Sequence, residues 1–363
     1  MTPLNYKRLV IKIGSNVLAR ENGLPDETRM QHLIDEIARL KKQGMEVVVV
    51  SSGAVAAGKS LVRVSEKSDL VAARQLLASV GQVQLINQYA HFFKAHDLIC
   101  SQVLVTKEDF RDRLHYGNMH SCFEILLQHD IIPIVNENDV ISVTELMFTD
   151  NDELAGLIAS MIRADGLLIL TNVDGLFTGD PRQPGSKLVE EVGGEDTDFS
   201  AFITAQKSNF GRGGMLTKCH MARKIAQLGI AVHIANGTRL HIISELLAGK
   251  APHTHFMPQK ALPGRKRWMA HTDKYAKGIV QVNTGAREAL TGAKASSLLP
   301  VGIVHIKGEF KKKDIIKIVD EQERLVGLGI AEYGSDKAQE LIGKKNQKPL
   351  VHYDYLYLSH ENY

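Results

Sequence analysis

Two lysines and a handful of polar turns hold the chemistry that this sequence could do. Lys12 stands near the end of a β-branched run, RLVIKI, just ahead of Gly14-Ser15-Asn16. Lys218 stands one turn into the helix that follows Gly211-Arg212-Gly213-Gly214-Met215-Leu216-Thr217. An ammonium acts as a point charge on phosphate. A glycine loop that opens a helix offers free N–H groups and a positive dipole end to the same anion. Ser51-Ser52-Gly53-Ala54 is a second such turn, small enough for close backbone approach and provided with hydroxyls. Asn136-Glu137-Asn138-Asp139 follows the apolar run IIPIV and suits the ammonium and carboxylate of an amino acid. Thr149-Asp150-Asn151-Asp152 opens the run ELAGLIASMI, where Asp and Asn also serve as ordinary helix caps. Each turn alone is ordinary; together, at strand ends, they describe an anion site.

One motif misleads. Gly53 to Ser60, GAVAAGKS, matches the phosphate-loop expression GxxxxGK[ST] after a strand. Its supposed loop, AVAA, is a good helix former, and the chain breaks at Ser65-Glu66-Lys67-Ser68-Asp69 before a long helix can follow Lys59. The stretch reads as a short helix after the SSG turn.

These residues need strands that end together. Arg8–Ile13, Glu46–Val50, Leu98–Val105, Ile131–Val135, Gly166–Leu170 and Ile230–Ile234 read as strands, and the unbroken VVVV of the second predicts burial on both faces. Helical spacing marks Glu27–Gln43, Leu70–Ala95 and about 115–129, 152–163 and 215–228. This alternation predicts an α/β fold with a three-layer, open, mostly parallel sheet, whose strand ends are where such folds bind ligands. The stretch His253–Arg265, with Pro258 and Pro263 and Pro252 just before it, has linker composition. Short β segments follow. The expected division is a first domain over 1–257, a linker over 258–270 and a small, mainly β domain over 271–363.

Composition excludes several classes. The 363 residues are 44% hydrophobic and 23% charged, which is globular rather than disordered. No apolar run reaches the ~18 residues of a membrane span, and the N-terminus does not read as a signal peptide. The expectation is a cytoplasmic protein without membrane contact. The three cysteines form no framework or zinc spacing and are expected to be buried thiols; the 15 histidines show no ligand spacing, and none is read as catalytic. Net charge is +3, but residues 259–363 carry 18 Lys+Arg against 12 Asp+Glu. Arg265-Lys266-Arg267-Trp268 and Lys311-Lys312-Lys313 raise the question of RNA binding; solvated turns are the favoured reading.

VIKIGSNVL, SSGAVAAG, QLLASVGQ, PIVNEND, DNDELA, LTNVDGLFTGDPR, GRGGMLTK, RKRW and SSLLPVGI, in this order from about Leu9 to Leu350, resemble the amino acid kinase family, in the glutamate 5-kinase form that carries a C-terminal PUA domain. The resemblance implies ATP-dependent phosphorylation of the γ-carboxylate of L-glutamate, the first step of proline biosynthesis, with proline as inhibitor. Its residue-by-residue implications are specific. Lys12 and Lys218 would hold the phosphates, and Asp152 would orient both. Ser52, Asn136, Asp139 and Asn151 would bind glutamate. Thr171, Asn172 and Arg212, Gly213, Gly214, Met215, Leu216, Thr217 and Lys218 would line the nucleotide. Mg²⁺ would come with ATP, and no protein metal cage is expected. A glutamyl phosphate reductase and further copies of the chain are the implied protein partners. The chain departs from the family at Asn172 (usually Asp), Arg212 (usually Thr), Thr149 (usually Gly) and Met147 (near a usual Lys). The alternatives are an RNA-binding PUA protein with a vestigial kinase domain, and a sister kinase for another acidic amino acid.

Overall fold

The computed structural model describes residues 3–65, 69–110, 113–142, 148, 150–193, 199, 214–259, 276–292 and 296–358. It divides into two compact units, Met1–Ala261 and Leu262–Tyr363. The linker read at 258–270 and the run Arg265–Trp268 lie almost wholly or wholly outside the described residues, as do Met147, Thr149, Arg212 and Gly213.

The first unit runs β1 (Arg8–Ile13), α1 (Ser15–Leu18), α2 (Glu27–Lys42), β2 (Glu46–Ser51), α3 (Ala54–Leu61), α4 (Leu70–Lys94), β3 (Cys100–Val105), α5 (Arg113–Gln128), β4 (Ile132–Glu137), α6 (Asn151–Met161), β5 (Gly166–Thr171), β6 (Glu191–Val192), α7 (Met215–Gln227), β7 (Ala231–Asn236), α8 (Ile242–Leu247) and β8 (His253–Phe256). The sheet order is β3-β4-β2-β1-β5-β7-β8-β6. From β3 to β7 every pairing is parallel, so these strands open their carboxyl ends on one edge. The chain leaves β1 for β2 on one side and later returns to β1 from the other side as β5. That reversal places the ligand-binding crevice at the end of β1.

Strand alternation assigns the two faces. Leu9, Ile11 and Ile13 of β1 join Val47, Val49, Ile132, Ile134, Leu168 and Leu170 in one core, packed under Leu33, Ile34 and Ile37 of α2, Tyr89 and Phe93 of α4, and Ile243 and Leu246 of α8. Lys12 falls on the opposite face, where α6 packs against β1. Burial of whole side chains from both layers is what holds the sheet: each buried Val, Leu or Ile contributes about 1.5–3 kcal/mol.

Several expectations change. His253–Phe256, read as linker from its prolines, is a strand, and it pairs antiparallel with β7. The reading of Gly53–Ser60 as a short helix rather than a phosphate loop holds: Ala54–Leu61 is helical, and Lys59 lies exposed in its last turn. Gly58 and Gly81 instead let α3 and α4 touch, since a Cβ on Gly81 would strike the carbonyl of Ala54 and the amide of Gly58. Of the cysteines only Cys219 is buried; Cys100 is half-buried, and Cys122 is exposed on the solvent side of α5. None of the helices among the described residues is long and apolar enough to cross a membrane.

The second unit is a five-stranded sheet, β9 (Gly278–Val282), β10 (Ile303–Lys307), β11 (Ile315–Val319), β12 (Leu325–Ile330) and β13 (Leu356–Leu358), in the order β10-β9-β11-β12-β13. It has its own core around Val280, Val282, Ile316, Ile318, Leu350 and Val351.

Candidate active site

The carboxyl edge of the sheet gathers the polar turns. Asp150 caps α6: its Oδ1 accepts from the backbone N–H of Asp152 at 3.0 Å and of Glu153 at 3.1 Å. The cap fixes the first turn, and that turn aims Asp152 back at β1. Lys12 Nζ lies 2.6 Å from Asp152 Oδ1, and Lys218 Nζ lies 2.7 Å from Asp152 Oδ2. Lys218 reaches this point because α7 opens at Met215, behind its cap Gly214 one turn earlier. The carboxylate is 0% exposed. Burial alone would raise its pKa, but the charges of Lys12 and then Lys218 outweigh burial and bring it down to about 2. Lys218 is pushed the other way: burial opposes its charge, and Asp152 more than compensates, raising its pKa. Lys218 is therefore held charged beside this anion. Asp150 behaves differently, its pKa raised first by burial and then by the charge of Asp152. Its Oδ2 is buried and accepts no hydrogen bond among the described residues.

A second cluster adjoins the first through Asn151. Its Nδ2 lies 3.1 Å from Ser51 O, 3.0 Å from Ser52 Oγ and 3.0 Å from Asn136 Oδ1. Asn136 Nδ2 donates to Gln82 Oε1 at 2.9 Å. Ser51 Oγ and Tyr89 OH share a buried hydrogen bond of 2.8 Å, and burial pushes the phenol well above its usual range. Asp139 stands further along the turn after β4, where Arg74 donates to it from Nε at 2.9 Å and from Nη2 at 2.5 Å.

The third group lies on β5 and α7. Thr171 ends β5 beside β1, its hydroxyl 3.4 Å from Asn172 Oδ1, and Gly237 N–H donates to its carbonyl at 2.8 Å. Asn172 is exposed. Gly214 precedes α7, and Met215, Leu216 and Thr217 form its first turn with Lys218. Thus Lys12, Asp152 and Lys218 meet directly, Ser52, Asn136 and Asn151 are joined by hydrogen bonds, and Asp139 is joined to Arg74 instead.

Sequence reasoning missed Arg74, Gln82 and the Oδ2 of Asp150, which accepts no hydrogen bond among the described residues. A signal for the first two was present. Arg74, Ala78, Gln82, Leu85, Tyr89 and Phe93 follow one another at helical spacing, and Ala78, Leu85, Tyr89 and Phe93 are core residues. Arg74 and Gln82 are thus polar residues on a buried stripe, which calls for polar partners.

Chemically, two ammoniums on one buried carboxylate, at the reversal point of a parallel sheet and beside a helix N-terminus, could attract a polyphosphate. The model of the amino acid kinase family matches residues 7–236, and that of the PUA domain matches residues 278–353. The glutamate 5-kinase of Bacteroides thetaiotaomicron is 50% identical over 97% of this chain and 99% of its own length. That of Chlorobaculum tepidum is 49% identical over 97% of this chain and 98% of its own. The crystal structure of UMP kinase from Ureaplasma parvum superposes with a TM-score of 0.50 at 15% identity, covering 70% of this chain and 100% of that one, which is likeness of fold. The chain belongs to the amino acid kinase family and, within it, to the glutamate 5-kinases that carry a PUA domain.

Proposed function

We propose that this chain transfers the γ-phosphoryl group of ATP to the γ-carboxylate of L-glutamate, giving ADP and L-glutamyl 5-phosphate, the first step of proline biosynthesis. The observation that carries this is the pair of ammoniums, Lys12 and Lys218, fixed on Asp152 next to the Ser52–Asn151–Asn136 cluster.

The reaction needs no general base, because glutamate's γ-carboxylate is already an anion at neutral pH. The obstacle is the approach of two anions. Phosphoryl transfer of this kind rests on positioning and on stabilising charge over the transferring oxygens. Lys12, at the end of β1, faces the γ-phosphate and the attacking carboxylate. Lys218 follows the phosphoryl group from ATP toward the acceptor. Asp152 holds both ammoniums in place and keeps Lys218 protonated. The N-terminus of α7, Gly214 to Lys218, takes the phosphates, with Arg212 and Gly213 preceding it; Thr171 and Asn172 line the nucleotide. Ser52, Asn136, Asp139 and Asn151 hold glutamate.

Mg²⁺ fits this donor set through the nucleotide. Both oxygens of Asp152 are taken by lysines and Oδ1 of Asp150 by backbone amides, whereas Asp150 Oδ2 accepts no hydrogen bond among the described residues and would meet a hydrated cation. Mg²⁺ keeps most of its waters and binds through one or two carboxylates plus phosphates; it would neutralise phosphate charge here.

Proline shares glutamate's α-carboxylate and ammonium but lacks an acceptor carboxylate, and it competes at the glutamate site. A glutamyl phosphate reductase consumes the labile product, the enzyme works as a homo-oligomer, and its setting is the cytoplasm, where ATP is made. The test is ADP release with hydroxylamine present, across L-glutamate, L-aspartate and N-acetyl-L-glutamate. Hydroxamate should form with L-glutamate in step with ADP. ADP release that needs no amino acid would overturn the proposal.

A further inference from the structure

The stripe that α4 turns inward carries two polar residues, Gln82 and Tyr89, which two helical turns bring onto one face. Each reaches a different turn of the candidate site. Tyr89 is wholly buried, its ring stacked 6.3 Å from that of Phe93, and its hydroxyl meets Ser51 Oγ at 2.8 Å. Ser51 Oγ donates its own proton to the carbonyl of Ser52 at 2.9 Å. A carbonyl can only accept, so the direction of the chain is fixed: Tyr89 donates to Ser51, and Ser51 donates to Ser52. The Ser52 N–H donates to Ile13 O at 3.1 Å. The turn is thus pinned at its peptide groups just before Gly53, whose φ of 111° carries the chain into α3. On the other side, Gln82 Oε1 accepts from Asn136 Nδ2 at 2.9 Å. That contact turns Asn136 Oδ1 toward the Glu137 N–H at 2.9 Å and Asn151 Nδ2 at 3.0 Å.

Asn151 shows what this backing leaves open. Its Nδ2 carries two protons but has three acceptors within reach, Ser51 O at 3.1 Å, Ser52 Oγ at 3.0 Å and Asn136 Oδ1 at 3.0 Å. Two of these are held in place, the first on a residue locked to Tyr89 and the third by Gln82. Ser52 Oγ is the one that can rotate away about its own Cα–Cβ bond, and its proton goes to no acceptor among the described residues.

We propose that Tyr89, through Ser51, and Gln82, through Asn136, are positioning residues for the phosphoryl acceptor: from one face of α4 they set the two turns that flank Asn151 and leave the Ser52 hydroxyl as the group that turns to the substrate. Both act without touching the substrate. The inference rests on the glutamate kinase reading above.

The test measures kcat, KM for L-glutamate, KM for ATP and a thermal melt in the full-length parent, Tyr89→Phe, Ser51→Ala, the double variant and Gln82→Met. Phenylalanine keeps the buried ring, and methionine keeps the length of the stem, so each removes a polar contact with little change of volume. Loss of one hydrogen bond behind a turn predicts KM for glutamate higher by roughly 3–10-fold in Tyr89→Phe and in Gln82→Met, with kcat within about twofold and KM for ATP unchanged. Because Tyr89 acts through Ser51, Tyr89→Phe should add nothing to KM once Ser51 is alanine. A parental KM for glutamate in either single variant, whatever its melt, would reduce that side chain to a brace in the core and overturn the assignment. Increases in KM for Tyr89→Phe and Ser51→Ala that multiply in the double variant would overturn it too. A parent enzyme that releases no ADP with glutamate would overturn the kinase reading instead, a result that involves no variant.

Discussion

Asp152→Asn keeps the shape of the side chain and removes the charge that two lysines share. In the parent, the carboxyl pKa is about 2 against an ordinary 3.8. At 1.36 kcal/mol per unit, that depression contributes about 2 kcal/mol of stability at neutral pH. The sign follows from the direction: a carboxylate whose folded pKa is depressed stabilises fully above its unfolded pKa, and the contribution fades as pH falls from about 4 toward 2. The variant loses more than this, because Lys12 and Lys218 then face each other in a buried site without the carboxylate that both contact. Breaking a buried ion pair from one side costs about 3–5 kcal/mol. For a unit of this size, ~2–4 °C per kcal/mol converts that to a melting point lower by roughly 10 °C. Turnover should fall roughly 10²–10³-fold, the loss expected when one charge contact to the transition state is misplaced. ATP carries negative charge into the same space, so it should raise the melting temperature more in the variant than in the parent. The assay is a thermal melt with and without ATP, paired with glutamate-dependent ADP release. A variant that melts and turns over like the parent, with the same response to ATP, would refute the clamp.

Lys12→Ala and Lys218→Ala should each lower kcat by roughly 10²–10³-fold, whereas Lys59→Ala, exposed in the last turn of α3, should leave it near the parental value; steady-state ADP release decides between them. Gly81→Ala should lower the melting temperature sharply, because its Cβ would meet the backbone of Ala54 and Gly58 and push α3 from α4; expression and a cooperative melt read this directly. Acid should weaken the first unit. Burial, helped by the charges of His255 and His253, lowers the pKa of His233 to about 2, so below pH 6.5 the unfolded chain binds a proton that the folded one refuses. Stability then falls by about 1.4 kcal/mol per pH unit down to that value, and His233→Gln should flatten the slope between pH 6 and 4 in a denaturant titration, about two units of the range.

Much of this arrangement is legible in local patterns. The run VVVV of β2 reads as buried on both faces because parallel strands covered by helices have no solvent face. Lys12 reads as a site residue because the Gly-Ser-Asn turn follows it at once. The capping role of Asp150 and the inward reach of Asp152 to the two lysines share one sequence, TDND, and only the three-dimensional placement of α6 separates them. What was hidden is non-local. Arg74 finds its partner Asp139 across 65 residues, and no local rule pairs them. The β8 strand sits inside a proline-rich stretch, and β6 has only two residues, too few for any periodicity. The antiparallel β8 also escapes the alternation of strands and helices that announces parallel pairing.

The central claim is that the carboxylate of glutamate attacks the γ-phosphate. L-glutamate labelled with ¹⁸O in its γ-carboxylate tests it most directly. Without a trap, an acyl phosphate closes to 5-oxoproline as the amine attacks the carbonyl carbon, and phosphate leaves with the bridging oxygen that came from the carboxylate. Mass spectrometry of the released phosphate should therefore find one ¹⁸O atom per molecule, matched by ADP. Phosphate free of label, formed in ordinary water at the same rate as ADP, would mean that water is the acceptor and would contradict the account.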